Sequence, residues 1–163
     1  MNEIVDWIAS TRLSWVVNTY GWIWPTAETL HFCALALIAG AVGLLDLRLL
    51  GVVKGLSPVR LRGLAGWAFL GLGVSAATGV LFIAGAPDQY FFNRAFHVKA
   101  AALALAGVNV LAFYALVAPR LEALGPDDDA PGAAKVIAAL SLGLLVVIMC
   151  AGRMLTFFRP LYI

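Results

Sequence analysis

His31 and His97 are the only two imidazoles in this 163-residue chain, and each stands just inside the start of a long apolar segment. His31 lies near the start of the first segment and His97 near the start of the third. Successive membrane helices run in opposite directions, so the first and third begin at one membrane face and the two rings are expected at similar depth. An imidazole pair held between helices is how a bundle ligates haem iron or a metal ion. Other polar groups gather nearby. Glu28 and His31 are three apart, as are Arg94 and His97, so each pair shares a helix face. Lys99 points to the opposite side of its helix from His97, and Arg153 lies in the outer part of the fourth segment. Ionisable groups inside lipid are costly and usually functional.

The chemistry this set could do is that of a b-type haem. His31 and His97 would be the axial metal ligands, from facing helices. Arg94, Lys99 or Arg153 would pair with the propionates, a cation being the natural partner of a carboxylate. Glu28 would accept a proton from an imidazole or a quinol, or fix the histidine tautomer. The plain alternative makes His31 a buried polar residue bonded to Glu28 or a neighbour, with His97 in the headgroup region. Copper is a third reading, through Cys33, Cys150, Met149 and Met154, because soft sulfur with imidazole favours Cu(I). Against it, His31 and Cys33 are two apart and diverge, and no Cys-x-x-Cys, His-x-x-His or Met-x-x-Met occurs. The cysteines are expected as small packing residues. No phosphate loop, nucleophile triad or dinucleotide turn is present, and Asp127, Asp128 and Asp129 lack the offsets of a calcium loop. No motif supports catalysis.

The elements that must position these groups follow from composition. The chain is 63% hydrophobic and 12% charged, against roughly 25% charged in a soluble domain. Its mean hydropathy is +0.94. A formal charge of +2 gives no case for nucleic-acid binding. Four runs reach the ~20 residues that cross a bilayer as helix, over about 25–50, 64–84, 96–118 and 133–158, with Pro58, Pro87, Pro119 and Pro131 between them. The expected fold is an all-α integral membrane protein, one membrane domain over 1–163. It is a four-transmembrane-helix bundle with an N-terminal interfacial helix at 3–18. The acidic residues Glu3 and Asp6 and the break at Arg12 argue against a cleaved signal.

Lys54, Arg60 and Arg62 in the first loop, with Arg48 at its edge, place that loop in the cytoplasm and both termini outside. Arg12, Arg153 and Arg159 oppose this. Trp15, Trp22, Trp24, Tyr90, Phe157 and Tyr162 form an aromatic belt at the outer face. Gly71, Ser75 and Gly79 recur every four residues, as do Ala102 and Ala106, a spacing that lets helices approach closely in lipid. Asn109 is expected to bond between helices. Arg48 is expected to snorkel to the headgroups, and Asp46 to pair with a cation of a neighbouring helix or with Arg60 or Arg62.

Several motifs occur together: Trp24-Pro25-x-x-Glu28-x-x-His31, Asp46-Leu47-Arg48-Leu49-Leu50-Gly51, Thr78-Gly79-x-Leu81-Phe82, Asn93-x-x-Phe96-x-x-Lys99, Gly107-x-Asn109 and Ala151-Gly152-Arg153. Over roughly 24–153 this order resembles a family of small bacterial four-helix membrane proteins, a domain of unknown function. The resemblance implies four helices in a bacterial cytoplasmic (inner) membrane and no established activity. It favours Glu28, His31, Lys99 and Arg153, and marks Phe96 and Lys99 rather than a histidine at position 97. More distantly, the first helix resembles those of CopD-type copper-resistance proteins and b-type membrane cytochromes.

The leading expectation is therefore a membrane electron-transfer protein holding haem b on His31 and His97. Its partners would be the lipid bilayer and a quinol or membrane redox protein, with a homo-oligomer allowed. The rival is a non-redox membrane protein that carries a small ligand or serves a larger complex as accessory subunit. There Glu28, His31, Lys99 and Arg153 form a buried polar network.

Overall fold

The computed structural model describes residues 3–158, and every regular element within them is helical. Arg159 and Tyr162, read above as an outer charge and a belt residue, lie outside the described residues. Four helical stretches are long and apolar enough to cross a membrane, the mark of a multi-pass membrane protein. The first is α3, Ile23–Leu49. The second joins a short α4, Pro58–Arg62, to α5, Ala65–Gly85. The third is α7, Arg94–Ala112, and its continuation to Ala123. The fourth is α8, Gly132–Met154.

The third span differs from the regular helix expected to 118. After Ala112 the chain takes a π turn, Phe113–Val117, and then a 3-10 stretch, Ala118–Ala123. Pro119 is the cause. It has no N–H to donate, and its ring crowds the carbonyl four residues back, so the regular ladder cannot pass through it. The N-terminal segment also differs. It is two short helices, α1, Glu3–Ala9, and α2, Arg12–Thr19. Thr11 starts the second by accepting from the Ser14 N–H at 3.2 Å, the usual work of an N-cap threonine. Both helices lie against α5, and α1 also lies against α6, Pro87–Phe91. Asn18 Nδ2 donates to the Gly85 carbonyl at 3.2 Å. A Cβ at Gly85 would stand 2.7 Å from the Trp24 ring and 2.8 Å from Val17, so glycine lets α2 and α3 close on α5.

The spans pack in the order α5, α3, α8, α7. Helix α3 lies along α5, α8 lies along both α3 and α7, and α7 has no extended contact with α3 or α5. Gly71 brings the first pair together backbone to backbone, since a Cβ there would be 2.9 Å from both the Ala34 carbonyl and Ile38. Gly79, at the other end of the same stripe, faces open space, so only part of the stripe is a helix contact. Asn109 donates from α7 to the Ile137 carbonyl of α8 at 3.1 Å. Asn93 joins the same two helices at the opposite end. Its side chain caps α7 through Ala95 N at 2.9 Å and donates to the Leu155 carbonyl at 3.0 Å.

The end of the molecule away from His31 is held by a buried guanidinium. Arg48 is 1% exposed. Its Nε donates to Leu56 O at 2.8 Å, and its Nη2 donates to Gly125 O at 2.9 Å and Asp128 O at 3.1 Å. The expectation that Arg48 reaches the headgroups is corrected: the carbonyls of two loops turn inward to meet it. Gly55, with φ +84°, turns its N–H onto Pro126 O at 3.1 Å and ties the loops again. Asp46 is corrected as well. It bonds Ser141 of α8 rather than a cation, and its Oδ2 is the one buried side-chain polar atom without a hydrogen bond among the described residues.

Asp129 lies at this end, 3.3 Å from Lys54 and 3.9 Å from Lys135. The hydrogen bond and charge of Lys54, helped by Lys135, hold its carboxyl below the ordinary 3.8. A group with a lowered folded pKa stabilises above its unfolded value and loses that contribution as pH falls through the folded one. Acid titration of the detergent-solubilised protein should therefore show a loss of stability below about pH 4, and Asp129→Asn should remove that component. At neutral pH the variant should unfold close to the parent, because the pair is exposed and screened by solvent.

Candidate functional site

The polar groups at the His31 end are placed by four elements. Helix α3 presents Glu28 and His31, α5 presents Ser75 and Thr78, α7 presents Arg94, His97 and Lys99, and α8 presents Gly152 and Arg153. Helix α6 stands between α5 and α7 and adds Tyr90.

His31 is buried and turned toward α5. Its Nδ1 is 2.7 Å from Thr78 Oγ1 and 3.5 Å from Ser75 Oγ. Phe82 packs edge-on to the imidazole, with centroids 5.4 Å apart, and Trp24 packs on Phe82 at 5.3 Å. Thr78 is buried in turn and sends its own hydroxyl back to the Val74 carbonyl at 2.8 Å, with Ser75 O at 3.1 Å. Back-bonding of this kind is the common habit of threonine inside a helix. The plain alternative of the sequence reading named Glu28 or a neighbour as the partner of His31. The partner is Thr78, across the helix pair.

His97 is exposed, and its Nε2 is 3.0 Å from the Phe91 carbonyl. The two histidines are not presented from facing helices. His31 looks into the α3–α5 contact, whereas α7 packs on α8 and makes no extended contact with α3. Equal depth from one membrane face, which the alternation of helix direction ensures, says nothing about direction around the bundle axis. Iron held between two imidazoles needs both rings aimed at one point, and the arrangement as it stands does not supply this. Among the described residues, no group of three or more His, Cys, Asp or Glu side chains converges as a metal site. Cys33 and Cys150 are free thiols on the outside of their helices.

Lys99 is half-buried and points away from His97. A Cβ at Gly152 would lie 3.5 Å from its Nζ, so the ammonium rests against the α8 backbone where there is no side chain. From there it is within electrostatic reach of the His31 ring. Glu28 is exposed on the same end of α3. Burial, and after it the negative charge of Glu28, pushes the Tyr90 phenol up to about 12. Arg153 is exposed, with its guanidinium 5.5 Å over the Phe157 ring, and Arg94 is exposed at the first turn of α7. Every ion pair among the described residues involves Asp129 at the far end of the molecule, so within these residues Arg94, Lys99 and Arg153 form no ion pair.

Thr78, Ser75, Tyr90 and Gly152 were not singled out as site residues from sequence. Thr78 and Gly152 stand inside motifs quoted above, but a threonine in an apolar helix carries no sign of what it faces.

Residues 4–158 match the Family of unknown function (DUF6644), and the chain belongs to that family. No curated protein and no solved structure matches the chain.

Proposed function

We propose that this protein is a membrane carrier or accessory subunit that binds an acidic amphiphile, a phosphate or carboxylate on an apolar chain, at its His31 end. The single observation that carries the reading is the set of cations there, Lys99 above all, none of which is in an ion pair among the described residues. An ammonium inside an apolar bundle is costly unless an anion or strong acceptor meets it. Lys99 sits where α7 leaves α3 and α5, with Arg94 and Arg153 exposed at the rim. An anionic head group entering from the bilayer would meet Lys99 inside and the two guanidiniums at the edge. Lys54, Arg60, Arg62, Arg120 and Lys135 gather at the other end, which by the positive-inside bias faces the cytoplasm. The head group would then come from the outer leaflet of the bacterial inner membrane.

The geometry favours this over haem b on His31 and His97, for the reasons of direction given above. Detergent-purified protein, stripped of lipid, tests it with oleate, a long-chain phosphatidate and oleyl alcohol as probes in native mass spectrometry. Both acids should bind and the alcohol should not. Lys99→Met should weaken acid binding about tenfold or more, the worth of one charge-assisted contact. Equal binding of oleate and oleyl alcohol, or an unaffected Lys99→Met variant, overturns the proposal. A Soret band and a sharp α band at one haem per chain in a reduced-minus-oxidised spectrum would return the paired-histidine reading.

A further inference from the structure

We infer that Gly152 is a positioning residue for the anion site: the bare backbone there lets the Lys99 ammonium lie across α8, and a larger side chain at this position would turn the ammonium away from the head group. The inference rests on the head-group reading above and adds to it the residue that decides where its central cation stands.

Lys99 stands on the second turn of α7. A lysine so near the end of a span ordinarily extends its stem and sends its ammonium to the headgroups. This one is half-buried and lies against α8 instead. Among the described residues no hydrogen bond and no ion pair holds it there. What it meets is a missing side chain. A Cβ at Gly152 would have Lys99 Nζ at 3.5 Å and Lys99 Cε at 3.9 Å, and nothing else from another helix within 4 Å. The separation of the two helices is not free to adjust around this contact. Asn93 donates to Leu155 O at 3.0 Å on one side of it, and Asn109 donates to Ile137 O at 3.1 Å on the other. Room for the end of Lys99 must then come from the residue at 152. The ammonium is also reachable, since Asp46 Oδ2 alone is a sealed polar atom without a partner among the described residues.

Substitution separates positioning from packing. A methyl at 152 would meet Nζ at ordinary contact distance, so Gly152→Ala should be accommodated. Leucine carries further carbons into the space beside that methyl, where the end of one flexible side chain is all there is to move. Gly152→Leu should therefore displace Lys99 without parting the helices. Its stability should be no lower than the parent's, because leucine is a better helix former than glycine. A glycine kept for helix packing behaves in the opposite way. At Gly71 the Ala34 carbonyl stands in the path of any side chain, and stability should fall.

Two measurements test this. The first needs no ligand. The chain has three lysines, Lys54, Lys99 and Lys135, so protein labelled with 13C-lysine shows few Cε signals, and that of Lys99 is the one lost in Lys99→Met. Gly152→Leu should shift it, and Gly152→Ala should shift it less, while Lys54 and Lys135 at the far end keep theirs. Gly143→Leu is the control on the same helix, with nothing within 4 Å of the added carbon, and should shift none of them. A Lys99 signal unmoved by Gly152→Leu overturns the inference, and so does a Gly152→Leu protein that unfolds more readily than the parent.

The second is oleate binding in native mass spectrometry. Gly152→Leu should bind about tenfold or more weakly, as expected for Lys99→Met. Combined with Lys99→Met it should weaken binding no further, because both changes act on one group. Gly143→Leu should bind as the parent does. Oleate binding by Gly152→Leu equal to the parent's overturns the inference and leaves the head-group reading to stand or fall on Lys99→Met. Absence of oleate binding by the parent protein overturns both.

Discussion

Replacing Arg48 with methionine should destabilise the protein by about 3–5 kcal/mol, the usual cost of removing one member of a buried, charge-assisted set. The side chain is 1% exposed, so the variant cannot compensate through water. Three carbonyls, from Leu56, Gly125 and Asp128, lose their donor together. Each loses a charge-assisted donor, at up to about 1–3 kcal/mol per group where water cannot take its place. The loops that carry these carbonyls also hold Gly51 and Gly55 in left-handed turns, a conformation with little else to fix it. Loss of the guanidinium should loosen both loops at once. Unfolding in detergent reads the stability, and limited proteolysis in 51–57 and 124–131 reads the loops. Arg48→Lys should recover less than half of the loss, because one ammonium cannot copy the planar fork that reaches both loops. A methionine variant as stable as the parent would show that the carbonyls find other partners.

Arg48 also marks where the sequence stopped being legible. The four spans could be read because lipid demands continuous apolar runs, and the runs are there. Asn109 could be read for the same reason, since an amide at mid-membrane must find a partner on another helix. The partner of Arg48 could not, because backbone carbonyls leave no mark in residue type. An arginine at a helix end looks like a snorkelling residue whether it reaches headgroups or loops. Asp46 misled in the same way. A carboxylate suggests a cation, and a serine hydroxyl on α8 meets it instead.

The candidate site was legible in part. Its membership, Glu28, His31, Arg94, His97, Lys99 and Arg153, follows from which polar residues stand near the start or end of a span at one face. Alternation of helix direction correctly puts them at one end of the molecule. Which of them meet depends on rotation about each helix axis and on which helices are neighbours. Neither is encoded in depth. The packing order α5, α3, α8, α7 separates His31 from His97 and brings Lys99 against α8. A pairing of first and third spans was an assumption about neighbours, and the small-residue stripe did not correct it. Gly71 meets α3, but Gly79 on the same face meets nothing.

Gly71 sets the other large expectation. Gly71→Leu should cost about 3 kcal/mol or more, the upper end of what overpacking a tight contact does. The first added carbon would already lie 2.9 Å from the Ala34 carbonyl oxygen and 2.9 Å from Ile38 Cγ1. Ile38 can rotate away, but Ala34 O is backbone inside α3 and cannot yield without moving the helix. Even Gly71→Ala should therefore be destabilising, although alanine is otherwise the better helix former by about 1 kcal/mol. Gly79→Ala is the control. It lies on the same helix with nothing within 4 Å of the added carbon, so helix propensity alone acts there and the variant should be neutral or slightly more stable. The two alanine variants should thus move the unfolding midpoint in opposite directions. Because the α3–α5 contact also carries the His31–Thr78 bond, Gly71→Leu should disturb that bond as well, whereas Gly79→Ala should leave it unchanged. Equal stability of the two alanine variants would mean that α3 and α5 do not meet at Gly71, and the placement of Thr78 against His31 would lose its support.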